Sequence, residues 1–163
     1  MCKIGSPLLS FLLCSLCTPL QALVDTNVII DALTGREPFR EAAEEIFMLA
    51  ANQIGDLYIT ASSATDIYYL IRKHLHDTGQ AKSAIAKLFE LFYLLDSTAE
   101  DCREALLLDM KDYEDAVISC CAGRNQMEYI VTGNVKDYKQ SKVQAVLPDE
   151  FIKLVSGEEN LGV

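Results

Sequence analysis

The chain is poor in positive charge. Fourteen lysines and arginines stand against 24 aspartates and glutamates, a formal net charge of −10 over 163 residues. A generally basic nucleic-acid surface is thereby excluded, so any contact with phosphate must come from a local patch or through a cation. Histidine is scarce: His74 and His76 are the only two, and neither stands in a recognisable catalytic context. There is no G-x-x-x-x-G-K or G-x-G-x-x-G cradle for phosphates and no nucleophile elbow. Internal repeats, linkers and low-complexity stretches are also missing, which leaves a single domain as the reading for this length. What the chain does have is apolar residues, half of the total, enough for a packed interior.

Six cysteines are present without the spacing of a disulfide framework. Cys14 and Cys17 have a C-x-x-C spacing, but no second ligand pair follows to close a zinc site. The expectation for Cys102, Cys120 and Cys121, as for Cys2, Cys14 and Cys17, is that of reduced, small apolar residues. Residues 1–21 form an apolar N-terminal extension with one charge, Lys3. It resembles a secretory signal peptide, but the small-residue rule at its end is poorly met, since a cut after Ala22 would place Leu20 at a small-residue position. It is read instead as an upstream extension outside the fold. It is too short for a membrane span, so no stable membrane association and a cytoplasmic location are expected. The domain proper is placed at residues 22–157, with a tail at 158–163.

Within the domain, short apolar runs alternate with helical patterns. Strands are expected at Leu23–Thr26, Leu57–Thr60, Tyr93–Leu95, Glu128–Thr132 and Val143–Leu147. Helices are expected at Asn27–Leu33, Phe39–Ile54, from Ser62 or Ser63 to His76, Ala81–Phe92, Ala99–Leu108 and Tyr113–Arg124, with a last one opening at Pro148. Such alternation predicts an α/β fold of three layers, α/β/α, around a central and mostly parallel sheet of about five strands. In these sheets ligands bind beyond the carboxyl ends of the strands.

The carboxylates fall at those ends. In "LVDTNVIIDAL", Asp25 directly follows a buried run, where a carboxylate is costly unless something compensates it. Asp66 lies in the first turn of the helix after strand two, among Ile67, Tyr69, Leu70 and Ile71, which look like core. In "DYEDAVIS", Asp112 and Asp115 share a helical face, Asp112 having the alternative role of a cap. Asn134 and Asp137 follow strand four in "TGNVKDY". Carboxylates converge only around something cationic, and hard oxygen donors suit Mg²⁺ or Mn²⁺. Metal-dependent phosphodiester hydrolysis is the chemistry these residues support best.

The blocks "LVDTNVIIDAL", "ITASSATDIYYLIRK", "DYEDAVISCCA" and "YIVTGNVKDY", in that order, resemble the signature blocks of the PIN domain family, the ribonuclease fold of many VapC-type bacterial toxins. The resemblance spans about residues 22–155. It implies catalytic carboxylates at Asp25, Asp66, Asp115 and Asp137, with Asp25 and Asp115 as metal ligands. Asn27, Thr132 and Asn134 are then expected to orient water or substrate. The longer Glu is frequent among relatives at the position of Asp66, Asp at that of Asn134 and Arg at that of Gly133.

The expected function is therefore a Mg²⁺- or Mn²⁺-dependent endoribonuclease, the toxin of a type II toxin–antitoxin pair. RNA is the expected substrate, a small antitoxin protein the expected partner, and a homodimer the expected state. The alternative is a catalytically weak PIN-like module that only binds RNA or a partner. Arg36, Lys136 and Lys139 are candidate contacts to the RNA backbone. Tyr68, Tyr69, Leu70, Phe89, Phe92 and Tyr93 could form a dimer face, although core packing is the expected role of most of them.

Overall fold

A computed structural model describes residues 19–157. Residues 1–18 of the signal-like segment, with Cys2, Cys14 and Cys17, and the C-terminal tail lie outside the described residues. The elements are β1 (Gln21–Val24), α1 (Thr26–Thr34), α2 (Arg40–Ala51), β2 (Asp56–Thr60), α3 (Ala61–Leu75), α4 (Thr78–Leu91), β3 (Tyr93–Leu95), α5 (Ala99–Ala105), α6 (Tyr113–Arg124), β4 (Tyr129–Val131), a 3₁₀ turn (Val135–Tyr138), β5 (Gln144–Val146) and α7 (Pro148–Ser156).

All strand pairings are parallel, in the order β3-β2-β1-β4-β5. The chain builds outward from β1 to β3, then returns to the other side of β1 to lay down β4 and β5. At the carboxyl ends of β1 and β4 the connections therefore leave in opposite directions, which opens a crevice between them. The expected α/β/α sheet is thus observed, with five strands.

Successive strand residues alternate between the two sheet faces. Ala22 and Val24 of β1 and Val131 of β4 face one core, with Val28, Ile29, Ile46, Ile67, Leu88 and Phe151. Leu23 and Ile130 face the other, with Ala105, Ala116, Val117, Ile118, Cys121, Ala122 and Met127. Helices α1, α2, α3, α4 and α7 cover the first face, and α5 and α6 the second. A fully buried leucine, isoleucine or phenylalanine contributes about 1.5–3 kcal/mol by leaving water, and Leu23, Ile29, Ile46, Ile59, Ile130 and Phe151 are all fully buried.

Several expected boundaries move. β1 begins at Gln21 and ends at Val24, so Thr26 belongs to α1. The Leu20 carbonyl accepts from the Asp56 N–H at 2.9 Å, which ties the sheet in just before β1. α4 begins at Thr78 rather than Ala81: Asp77 accepts from the Gln80 N–H at 2.8 Å and caps it. Gly79 is tolerated there because first-turn N–H groups have no intrahelical partner to lose. α5 stops at Ala105, leaving Leu106 and Leu107 exposed.

The core expectation fails along one flank. Phe92 is buried and stacks edge-on to Phe47 at 5.1 Å, but Tyr69, Leu70, Phe89 and Tyr93 are exposed. Helical periodicity places residues on a common face without deciding whether another element covers it. Of the described cysteines, Cys121 is buried and Cys102 and Cys120 half-buried, and all three are free thiols. No helix among the described residues is long and apolar enough to cross a membrane.

Candidate active site

Asp25 sits at the β1–β4 crevice. Its N–H donates to the Val131 carbonyl at 2.9 Å, one residue past the regular β1 pairing, and this fixes its backbone. It occupies the N-cap position of α1 in extended conformation (φ −69, ψ 148), yet its side chain makes no capping bond. The carboxylate turns instead toward Thr132, at the end of β4. It is 2% exposed.

A small polar network holds it there. Asp25 Oδ2 accepts from Asn27 Nδ2 at 2.6 Å and from Thr132 Oγ1 at 2.7 Å. Thr132 Oγ1 in turn accepts from Asn27 Nδ2 at 3.2 Å and from the Asn134 N–H at 3.0 Å. Asn27 Oδ1 accepts from the Gly133 N–H at 3.0 Å. One hydroxyl proton and two lone pairs are thus all in use on Thr132. Among the described residues no buried side-chain polar atom lacks a partner. Asn27, Thr132 and Asn134 therefore meet around Asp25.

Asp115 arrives from α6. Asp112 caps that helix, accepting from the N–H groups of Glu114 at 2.8 Å and Asp115 at 3.3 Å. The cap role weighed for Asp112 is the one it has. The second helical residue after it, Glu114, and the third, Asp115, then project toward the crevice. Tyr138, buried at the end of the 3₁₀ turn, donates its phenolic O–H to Asp115 Oδ1 at 3.1 Å. The same phenol lies against Asp25 and helps hold that carboxyl's proton affinity down.

The electrostatics reflect crowding of like charges. Burial raises the Asp25 pKa, opposed by the hydrogen bond from Thr132 and by the neighbouring Tyr138 phenol. Burial and the neighbouring Asp25 charge push Asp115 up to about 7 from its ordinary 3.8. Burial also raises Glu114, whose Oε1 accepts from Thr26 Oγ1 at 2.6 Å, and the charges of Asp66 and Asp25 raise it further. Burial and the Asp25 and Asp115 charges push the Tyr138 phenol upward, so it stays protonated as a donor. Carboxylates that resist ionisation in each other's presence are the donor set a divalent cation would relieve.

The remaining expected residues are less tightly gathered. Asp66 is exposed and makes no side-chain hydrogen bond among the described residues, although its charge is felt at Glu114. Asp137 is half-buried, and its carboxylate accepts from Asn134 Nδ2. Its charge reaches Asp115. No group of three or more metal-ligating side chains is close enough to form a closed cage among the described residues. Arg36 is committed elsewhere, to Asp31 at 3.5 Å and over the Phe39 ring at 5.4 Å, whereas Lys136 and Lys139 are exposed.

Two residues at the site escaped sequence reading as site members. Glu114 had a signal, since it stands beside Asp115 in the first turn of α6. Tyr138 had none: nothing in "NVKDY" shows that its ring turns inward to meet a carboxylate 23 positions upstream.

Comparison with known families agrees with this fold. The family model described as "PIN domain" matches residues 21–136. The chain belongs to the PIN domain family. The fold is similar to a chain in the DNA-bound VapBC of Salmonella typhimurium (17% identity, TM-score 0.62, 79% of this chain and 98% of that one). It is similar to one in a toxin–antitoxin complex from Klebsiella pneumoniae (20% identity, TM-score 0.56, 78% and 97%). A third likeness is to VapC20 of Mycobacterium tuberculosis, a sarcin-ricin loop cleaving toxin (14% identity, TM-score 0.59, 76% and 98%). A search of curated proteins gives no match.

Proposed function

We propose that this chain is a metal-dependent endoribonuclease acting as the toxin of a toxin–antitoxin pair in the cytoplasm. The observation that carries the reading is the meeting of Asp25 and Asp115, ninety positions apart, at the one crevice the sheet topology opens. Family membership and the likeness to toxin structures support the same reading.

Asp25 and Asp115 are the proposed ligands of Mg²⁺ or Mn²⁺. The donor set fits: Mg²⁺ usually takes one or two carboxylates and keeps several waters, so a closed cage of three is not required. When bound, such a cation supplies an activated water and charge to balance a phosphate oxygen. The chain's own residues do the positioning. Asn27 and Thr132 lock the Asp25 carboxylate in one orientation, and Tyr138 does the same for Asp115, so both ligands are pre-organised. Asp66, Glu114 and Asp137 add negative charge around the pair, with Asp66 and Asp137 as the proposed further catalytic carboxylates. The amide of Asn134 orients Asp137, and Lys136 and Lys139 stand where they can meet the RNA backbone.

An antitoxin or a second copy would find apolar surface at the β3 edge, where Phe89, Tyr93 and Leu94 are exposed beside a groove of about 400 Å³ lined by Tyr68, Ile85 and Phe89. The second reading, a module that binds without turnover, is favoured by one observation. Asn134 already engages Asp137, leaving that carboxylate partly occupied.

The test is incubation of labelled single-stranded and structured RNAs with the full chain, in Mg²⁺, Mn²⁺ or EDTA. Internal cuts that require the metal support the enzyme. RNA retained intact by folded protein in both metals overturns it in favour of the binding module.

A further inference from the structure

Among the described residues, Arg72 is the one arginine without a carboxylate partner. Arg36, Arg40, Arg103 and Arg124 each pair with an aspartate or glutamate at 2.7 to 3.5 Å. In a chain with 24 acidic residues and 14 basic ones an unpaired guanidinium is the exception. Arg72 lies with Lys73, His76, Tyr69 and Thr78 around a surface cavity of about 410 Å³ at the α3–α4 corner. The nearest acid in sequence, Asp77, is engaged by the Gln80 N–H as the cap of α4. The negative end of the α3 dipole favours cations in its last turn. That accounts for their presence but not for their convergence on a cavity.

The cluster is aligned with the candidate active site. Asp66, Tyr69, Arg72 and Lys73 fall within about a third of the circumference of α3, His76 follows as its left-handed C-cap, and all are exposed. Lys73 is about 10 Å along the axis from Asp66, at about 1.5 Å per residue. α3 starts directly at the carboxyl end of β2, so its exposed stripe leads away from the crevice edge. Tyr69, 62% exposed, presents an aromatic face among the cations.

We infer that this stripe is a binding track for single-stranded RNA, with Arg72 and Lys73 on backbone phosphates and Tyr69 stacked on a base. The choice of RNA as the ligand rests on the nuclease reading above. A guanidinium fork grips phosphate oxygens in pairs, and an exposed ring beside cations is the usual platform for unpaired bases. An acidic peptide would use the cations but gain little from the tyrosine. The track also answers how so acidic a protein would hold a polyanion: a short cationic stripe takes the strand beyond the cut.

The experiment is fluorescence anisotropy of a labelled single-stranded RNA with the full chain in EDTA, at salt from about 50 to about 200 mM. Each phosphate contact contributes about 0.7 to the slope of log affinity against log salt. Losing two in Arg72→Ala/Lys73→Ala lowers the slope by about 1.4, so the wild type should lose about sevenfold more affinity than the variant across that range. Tyr69→Ala should weaken binding equally at every salt, and Lys153→Ala on α7 should change nothing. A wild-type slope in the double variant, or an equal drop in Lys153→Ala, overturns the track. So does an oligoglutamate that loses its affinity in the double variant while RNA keeps its own. Cleavage separates the two claims. Binding through the stripe without metal-dependent cutting sinks the nuclease and leaves the track. Cutting with an unchanged KM and salt slope in the double variant sinks the track alone.

Discussion

Replacing Asp115 with asparagine should make the metal-free protein more stable while removing its response to metal. The Asp115 carboxyl is shifted from 3.8 to about 7 by burial and by Asp25. At about 1.36 kcal/mol per tenfold change in proton affinity, ionising it in the folded state costs up to about 4 kcal/mol. Water reaching this half-buried position screens part of that, so about 2 kcal/mol is the working expectation. The folded protein keeps a proton on Asp115 at pH values where the unfolded chain has lost it. Stability therefore falls as pH rises from about 4 to about 7 and levels off above. Asparagine keeps the shape and can still accept from Tyr138, but cannot ionise. In EDTA at pH 8, Asp115→Asn should be about 2 kcal/mol more stable than wild type, which is about 4–8 °C for a chain of this size. At about pH 3.5, where the carboxyl stays protonated in the folded protein and is mostly protonated in the unfolded chain, the two should agree within about 0.5 kcal/mol. Urea denaturation followed by circular dichroism at the two pH values reads this directly. An excess of Mg²⁺ at about a hundred times its Kd should stabilise the wild type by about 2.7 kcal/mol and leave the variant unmoved. The reasoning is refuted if the variant is less stable at pH 8, or if its advantage is the same at both pH values.

Other residues give independent tests. Thr132→Val removes the hydroxyl that donates to Asp25 and accepts from Asn27 and Asn134. With buried groups left unsatisfied it should cost about 1–3 kcal/mol in thermal or urea melts; a neutral result would contradict the network. Tyr138→Phe should leave stability within about 1 kcal/mol but raise the Asp115 pKa, since the phenol is what opposes burial there. The pH midpoint of metal-induced stabilisation should then move up, and an unchanged midpoint would argue against Tyr138 as the orienting group. On the far face, Asp101 is buried and held by Arg124 at 2.9 Å and by Thr98. Burial alone would raise its pKa, but those partners bring it well below the usual carboxylate range. Asp101→Ala leaves Arg124 without its carboxylate partner and removes the Asp101 half of the capping box at α5; with Arg124 partly in water, a loss of about 2–4 kcal/mol in a denaturation curve is expected. A loss below about 0.5 kcal/mol would sink this assignment.

The layered fold was legible because strand and helix periods differ and each apolar run ends at a recognisable break. Asp25 was legible for a stronger reason: a carboxylate directly after a buried run needs a cause, and the cause lies in the topology. Asn27 and Thr132 were expected at the site from the resemblance to the PIN domain family. What could not be read is what depends on contacts across the sequence. The 3-2-1-4-5 strand order, which makes Asp25 and Thr132 neighbours, is not encoded in any local pattern. Tyr138 needed the 3₁₀ turn to aim its ring at α6. Tyr69 and Leu70 looked like core beside Ile67 and Ile71, but only the isoleucines meet another element, and the tyrosine faces water with Arg72 and Lys73. Gly79 read as a break in the chain because its cost is felt in helix interiors, whereas here it lies in a first turn.

The central claim is that Asp25 and Asp115 together hold a divalent cation at the β1–β4 crevice. Titration of Mn²⁺ into the metal-free full chain, followed by the loss of its free-ion paramagnetic resonance signal, tests it most directly. The account predicts one saturable site in the wild type, weakened at least tenfold in both Asp25→Asn and Asp115→Asn and unchanged in the surface control Glu44→Gln. Equal Mn²⁺ affinity in the wild type and in the two aspartate variants would contradict it.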